Sequence, residues 1–254
     1  MTVVLVHGNP ETAAIWEPLR AELGRDDVVA LSPPGFGSPV PEGFAAHGDD
    51  YLAWLVDELT TLGDGEPIDL VGHDWGGGHV QRLAASRPDL IRSWVSDIAG
   101  CAHPDYVWHD MAQVWQTPGA GEDAVAGLVA TPKDALTVAY QGLGMTEAAA
   151  RSCADAASPE MARCILALYR SAAQPQMVAW GQELVAAERR PALAIIPTED
   201  HFTGGEALAR EFAASVGADV AMLQGLGHWW MLQDPSAGAA ALTGFWSTLP
   251  PVHR

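Results

Sequence analysis

The chain has 254 residues, with 32 acidic against 13 basic side chains and a net charge of −19. That length suits one large α/β domain or two small ones, and a composition 48% apolar and only 18% charged belongs to a globular chain. The acidic balance excludes the basic face of a nucleic-acid binder and disfavours docking on an anionic membrane.

Met1 leads straight into the strand-like run Thr2-Val3-Val4-Leu5-Val6, with no basic segment or small-residue cleavage site ahead of it. No signal peptide is expected on that ground. Val3 to Val6 is short, apolar and β-branched, as in a strand covered on both faces. Residues 11–24 have helical spacing through Ile15, Trp16, Leu19 and Leu23. Asp27 to Leu31 is again strand-like, and Ser32-Pro33-Pro34-Gly35-Phe36-Gly37 is a turn-rich loop. Residues 49–62 form an amphipathic helix, Ile68 to Val71 a strand, and a helix runs from Asp74 to about Ser86. The next strand is Ile91 to Val95.

From about Cys101 to Arg190 the pattern is mostly helical with no convincing strand, with candidates at 121–129, 133–141, 146–155, 159–172 and 175–187. Alternation then resumes with strand Ala192–Ile196, helix 205–215, strand Val220–Leu223 and helix 236–247. Strands alternating with helices imply a mostly parallel sheet flanked by helices, an α/β class fold. A helical block inside that alternation reads as an inserted cap. The expected division is an α/β core at 1–100 and 191–254 with a helical cap at 101–190. Three cysteines, Cys101, Cys153 and Cys164, make an odd set without a CxxC pair. Reduced thiols and a cytoplasmic location follow as expectations. No window of eighteen uninterrupted apolar residues occurs, so no membrane span is expected.

The motif with most chemical content is Gly72-His73-Asp74-Trp75-Gly76-Gly77, between a predicted strand and a predicted helix. That is the setting of a nucleophile elbow, a sharp turn exposing one side chain above the sheet, with small residues where strand and helix approach. The exposed residue here is Asp74, and no G-x-S-x-G occurs in the chain. Three further motifs, one before the elbow and two after it, complete an ordered set along the sequence. They are His7-Gly8-Asn9-Pro10 after the first strand, Asp200 after a late strand, and His228 after the last.

Together these four motifs resemble the aspartate-nucleophile branch of the α/β-hydrolase fold, which includes epoxide hydrolases and haloalkane dehalogenases. The resemblance covers nearly the whole chain, and on it the core is expected to begin at the strand before His7, without the first two strands of larger members. It implies a hydrolase without cofactor or metal. Asp74 would attack an electrophilic carbon and form an alkyl-enzyme ester. His228 would activate water to cleave that ester, and Asp200 would orient the imidazole. Asp97, after the strand at 91–95, stays open as the alternative acid. The loop at Asn9 and the backbone N–H of Trp75 would bind the oxyanion or leaving group.

An opened epoxide needs donors for an alkoxide, which the family takes from cap tyrosines, and Tyr140 and Tyr169 lie on predicted cap helices. A departing halide needs weaker donors, for which Asn9 and indole N–H groups serve. Trp108, His109, Trp115, Trp180 and Trp229 are the further candidate pocket residues. Such an aromatic surround suits a neutral apolar or ring-containing substrate. Epoxide hydrolysis is the leading expectation. The alternatives are a haloalkane dehalogenase, another hydrolase of unassigned substrate, and a non-catalytic small-molecule binder. The expected partner is a neutral small molecule, with neither nucleic acid nor membrane, and a homodimer stays open.

Overall fold

The computed structural model describes residues 2–250. Among these residues, six strands and twelve α-helices follow in order. They are β1 (Val3–Val6), α1 (Glu17–Leu23), β2 (Val28–Leu31), α2 (Gly48–Gly63), β3 (Ile68–Gly72), α3 (Trp75–Ser86) and β4 (Ile91–Ser96). Six helices follow without a strand: α4 (Asp110–Gln116), α5 (Ala120–Ala130), α6 (Lys133–Gly142), α7 (Glu147–Ala156), α8 (Pro159–Ser171) and α9 (Gln176–Ala186). The alternation closes with β5 (Ala192–Pro197), α10 (Gly205–Val216), β6 (Asp219–Leu223), α11 (Trp230–Gln233) and α12 (Pro235–Thr248).

The strands form one sheet in the order β2-β1-β3-β4-β5-β6, parallel throughout. Its period of two divides the apolar residues between two cores. Val3, Leu5, Val71, Val95 and Ile195 join one cluster. Val4, Val6, Leu70, Trp94 and Ile196 join the other. A sheet buried on both faces explains why β1 reads as an unbroken apolar run. Among the described residues no helix is long and apolar enough to cross a membrane.

Two local departures from the sequence reading have clear causes. The helix expected over 11–24 breaks into a 3₁₀ turn at Ala13–Trp16 and then α1. Pro18 has no N–H with which to continue the α-helical ladder across the junction. Helix α4 lies in a stretch for which no helix is expected. It is short, and its start is set by a capping side chain, His109, whose Nδ1 accepts from Ala112 N–H.

The elbow between β3 and α3 is the tightest point of the fold. Asp74 has φ 50° and ψ −126°, a conformation costly for a residue with a Cβ. Its neighbours must be small. A Cβ on Gly72 would strike the Gly76 carbonyl, and one on Gly76 would strike the Val6 carbonyl. On the opposite wall, a Cβ on Gly8 would collide with the Asp74 carboxylate itself. Gly8 therefore lets the loop after β1 close over the elbow side chain.

Candidate active site

Parallel strands deliver their carboxyl ends to one edge of the sheet, where ligands of open α/β folds bind. Here β1 is followed by His7, Gly8 and Asn9, β3 by His73 and Asp74, and β4 by Asp97. Strand β5 leads to Asp200 and β6 to His228. Asp74, Asp200 and His228 meet at this edge. His228 Nδ1 lies 2.8 Å from Asp200 Oδ2, and His228 Nε2 lies 3.8 Å from Asp74 Oδ2. The backbone N–H of Asn9 donates to Asp74 Oδ1 at 3.0 Å. Asp200 also accepts the Phe202 N–H at 2.8 Å, which fixes its carboxylate.

Electrostatics follow from this packing. Burial pushes the Asp74 carboxyl up to about 6, against the pull of His228, His73 and the Asn9 N–H toward ionisation. Burial also opposes charge on His228, but the Asp200 and Asp74 carboxylates outweigh it and raise the imidazole above its usual value. Asp200 would likewise be raised by burial, yet His228 and the Phe202 N–H hold it below the ordinary carboxylate range.

Asp97, the alternative acid, faces elsewhere. Its Oδ1 accepts the Asp74 backbone N–H at 3.0 Å. Its Oδ2 takes His73 Nδ1 at 2.5 Å and Trp230 Nε1–H at 2.7 Å. Glu11 holds the other side of the same ring. Its Oε1 takes His73 Nε2 at 3.1 Å and Trp229 Nε1–H at 2.5 Å, and its Oε2 accepts Gly8 N–H at 3.0 Å. Each carboxylate thus receives three donors. A neutral imidazole has only one N–H, so a ring flanked by two such acceptors is an imidazolium. Burial resists that charge, but Asp97 and Glu11 overcome it and raise His73 well above its usual value. Glu11 itself is drawn down to about 2, because His73 outweighs its burial. Ligand atoms of Glu11, His73 and His228 lie within 4.8 Å of one another, a spacing compatible with a metal ion. Glu11 and His73 already face each other as acceptor and donor, so the cluster reads as a closed hydrogen-bond net.

In front of Asp74 lies a cavity of about 20 Å3, the size that holds one water. Its walls include Trp75, Trp108, His109, Tyr169 and Phe202, with Tyr106 and Cys101 alongside. Several other candidates are absent from these walls. Tyr140 is buried on α6 with an unpartnered hydroxyl, since the face it presents is the packed one. Trp115 stands behind Tyr169, ring centroids 4.7 Å apart. The Trp180 ring lies under the Arg82 guanidinium, 4.2 Å from it, and not in the pocket. Trp229 turns its N–H back toward Glu11. Asn9 meets Asp74 through its backbone, while its own amide is buried without a partner.

Glu11 and Phe202 are the residues the sequence reading misses. Glu11 has a local signal, an acid directly after the His7-Gly8-Asn9-Pro10 turn and ahead of the apolar pair Ile15-Trp16. Phe202 has none beyond standing two residues after Asp200.

A family profile described as "Alpha/beta hydrolase family" matches residues 3–242. Among curated proteins, the chain is 31% identical to epoxide hydrolase 4 of Mus musculus over 126 residues, 45% of this chain and 33% of that one. The chain spans about a third or less of the length of the curated relatives it first matches. Among solved structures, the Cif epoxide hydrolase of Acinetobacter nosocomialis superposes with a TM-score of 0.77 at 18% identity, covering 96% of this chain and 82% of that one. A haloalkane dehalogenase of Bradyrhizobium elkani gives a TM-score of 0.72 at 20% identity, covering 97% and 91%. At such identities these two structures speak for the fold alone.

Proposed function

The chain belongs to the α/β hydrolase family, and within it we propose that it hydrolyses epoxides through an aspartate nucleophile. One observation carries this reading. A carboxylate, Asp74, stands at the elbow with one oxygen held by a backbone N–H and the other facing a histidine–aspartate pair. Neither a serine-nucleophile mechanism nor a binding role calls for a carboxylate in that arrangement.

In this reading Asp74 attacks a ring carbon, and the carbon–oxygen bond of the epoxide breaks toward the oxygen. Tyr169, in the cavity wall, donates its hydroxyl proton to the nascent alkoxide. His228 then takes a proton from water, the hydroxide cleaves the Asp74 ester, and Asp200 stabilises the imidazolium. The backbone N–H of Asn9 serves the ester's oxyanion. Helices α4 to α9, within 101–190, act as a cap over the core at 1–100 and 191–254. The aromatic lining of the cavity favours a neutral apolar substrate and limits the access of bulk water to the ester. The three buried, unbridged cysteines suit a reducing compartment, so the cytoplasm is the proposed location.

A second reading, haloalkane dehalogenation, is favoured by one feature. Trp108 lines the cavity and its buried indole N–H has no acceptor, which suits a departing halide. Assaying aryl epoxides and bromoalkanes side by side, by diol and by halide, separates the two. Diol without halide supports the first reading, halide without diol the second, and neither product removes both.

A further inference from the structure

We propose that the Ala112 backbone N–H fixes the tautomer of His109, and thereby arms the opposite ring nitrogen as a second donor to the leaving group. The identity of that leaving group rests on the reading above; the tautomer claim stands without it.

His109 occupies two environments at once. As the residue that starts α4, with φ −61° and ψ 159°, it turns Nδ1 inward to accept Ala112 N–H at 3.3 Å. Its ring also lines the cavity with Asp74 and Tyr169. A nitrogen that accepts from an N–H has its lone pair there and carries no proton. The neutral ring must therefore hold its proton on Nε2. Nothing among the described residues accepts from Nε2, while aromatic neighbours surround the ring. Phe202 lies 5.2 Å away at 78°, and Tyr169 and Trp115 each lie 6.4 Å away, nearly perpendicular. The ring is thus held in place, fixed in tautomer, and left with one unused donor on a residue that shares its cavity with the nucleophile.

Protonation would undo the arrangement, because an imidazolium Nδ1–H would face the Ala112 N–H donor to donor. The charged groups that bear on His109 are His228, which opposes a second proton, and Asp200 and Asp110, which favour one. Burial and His228 prevail, so the ring stays neutral.

The chemical step balances without proton loss from His109. Asp74 forms the ester bond, the epoxide carbon–oxygen bond breaks, and the electron pair stays on oxygen. His109 Nε2–H supplies a hydrogen bond to that oxygen and keeps its proton, since a neutral imidazole is too weak an acid to give it up. Tyr169 supplies the proton and recovers it from solvent. With a bromoalkane the same Nε2–H would meet the departing bromide.

Two substitutions separate capping from donating. Ser and Asn both cap helices well. His109→Ser keeps the cap and cannot reach into the cavity, whereas His109→Asn keeps the cap and retains N–H donors. Alkylation is best timed in the His228→Gln background by intact mass, using an aryl epoxide and a bromoalkane, so that ester hydrolysis does not intrude. We expect His109→Ser to slow adduct formation roughly tenfold or more, His109→Asn to recover part of the loss, and Tm to stay within about 2 °C for both. Unchanged alkylation in His109→Ser, or no recovery in His109→Asn, overturns the donor role.

The tautomer is read independently from ring-nitrogen NMR shifts of histidine-labelled protein, with the His109 signals assigned by their loss in His109→Ser. Wild type should show Nδ1 bare and Nε2 protonated. Ala112→Pro removes the capping N–H in a first turn that tolerates proline, at the cost of packing a ring where Ala112 is fully buried, and with a wild-type-like circular dichroism spectrum it should mix the tautomers. A protonated Nδ1 in wild type, or an unchanged signal in Ala112→Pro, sinks the proposal. If neither substrate class alkylates the protein, the hydrolase reading fails while the NMR result still decides the tautomer.

Discussion

The two sides of Asp74 are built on opposite principles. Behind it, Glu11, His73, Asp97, Trp229 and Trp230 form a net in which every carboxylate oxygen has a donor and both His73 nitrogens have acceptors. In front of it, the buried Trp108 indole N–H has no acceptor, and the half-buried His109 ring lines the same cavity, which has room for one water. A satisfied net is rigid and expensive to disturb. Unmatched buried donors cost stability and persist where a ligand is to complete them. Variants behind the elbow should therefore act mainly on folding, and variants in front mainly on rate.

Substitution at the boundary has the largest expected effect. Asp74→Asn should abolish adduct formation and reduce turnover by on the order of 10⁴-fold or more, as read by intact mass and steady-state kinetics. Behind the boundary, His73→Gln leaves Asp97 and Glu11 without the cation that balances them. Breaking a buried ion pair costs about 3–5 kcal/mol, so Tm should fall by about 10 °C in a chain of this size. A calorimetric Tm within about 2 °C of wild type would mean the net is not the charged structure described.

In front, Tyr169→Phe removes one hydroxyl and should slow epoxide opening by about 10–100-fold while leaving Tm close to wild type. A large loss of Tm with an unchanged rate would reverse the assignment of this region. A smaller, several-fold effect should come from pH. Asp74, pushed up to about 6, must be ionised to attack, so alkylation survives down to about pH 6. His228 must be neutral to take a proton from water, and the Asp200 carboxylate raises it above its usual value. Ester cleavage therefore fails first as pH falls, and the adduct should accumulate between the two, as rapid-quench mass spectrometry would show. Esterification removes the Asp74 charge and narrows that window. The smallest effect belongs to a residue outside both regions. Trp180→Phe, which alters packing against Arg82 and Gly48, should leave kcat/KM within about twofold; a larger drop would place Trp180 back in the pocket.

Much of this geometry was readable because it is local. The elbow is written in Gly72, Asp74 and Gly76 within five residues, even though the close approach that demands Gly76 comes from Val6 on the neighbouring strand. The strands are legible because a sheet buried on both faces demands unbroken apolar runs such as Val3 to Val6. The polar net was not legible, since His73 and Glu11 are 62 residues apart and Trp229 is 218 from Glu11. No spacing rule connects such pairs. The aromatic candidates divide for a related reason. Tyr140 and Tyr169 both sit on amphipathic helices and are both buried, but only the packing of α8 against the core turns Tyr169 to Asp74. Helical periodicity says that a face is buried without saying against what.

The central claim is that Asp74 is alkylated, and isotope transfer tests it most directly. A single turnover of excess enzyme in heavy-oxygen water, followed by digestion, should place label in the peptide containing Asp74, because water cleaves the ester at the carboxyl carbon. Label found only in the product, with the Asp74 peptide unlabelled, would show that water attacks the substrate itself and would contradict the account.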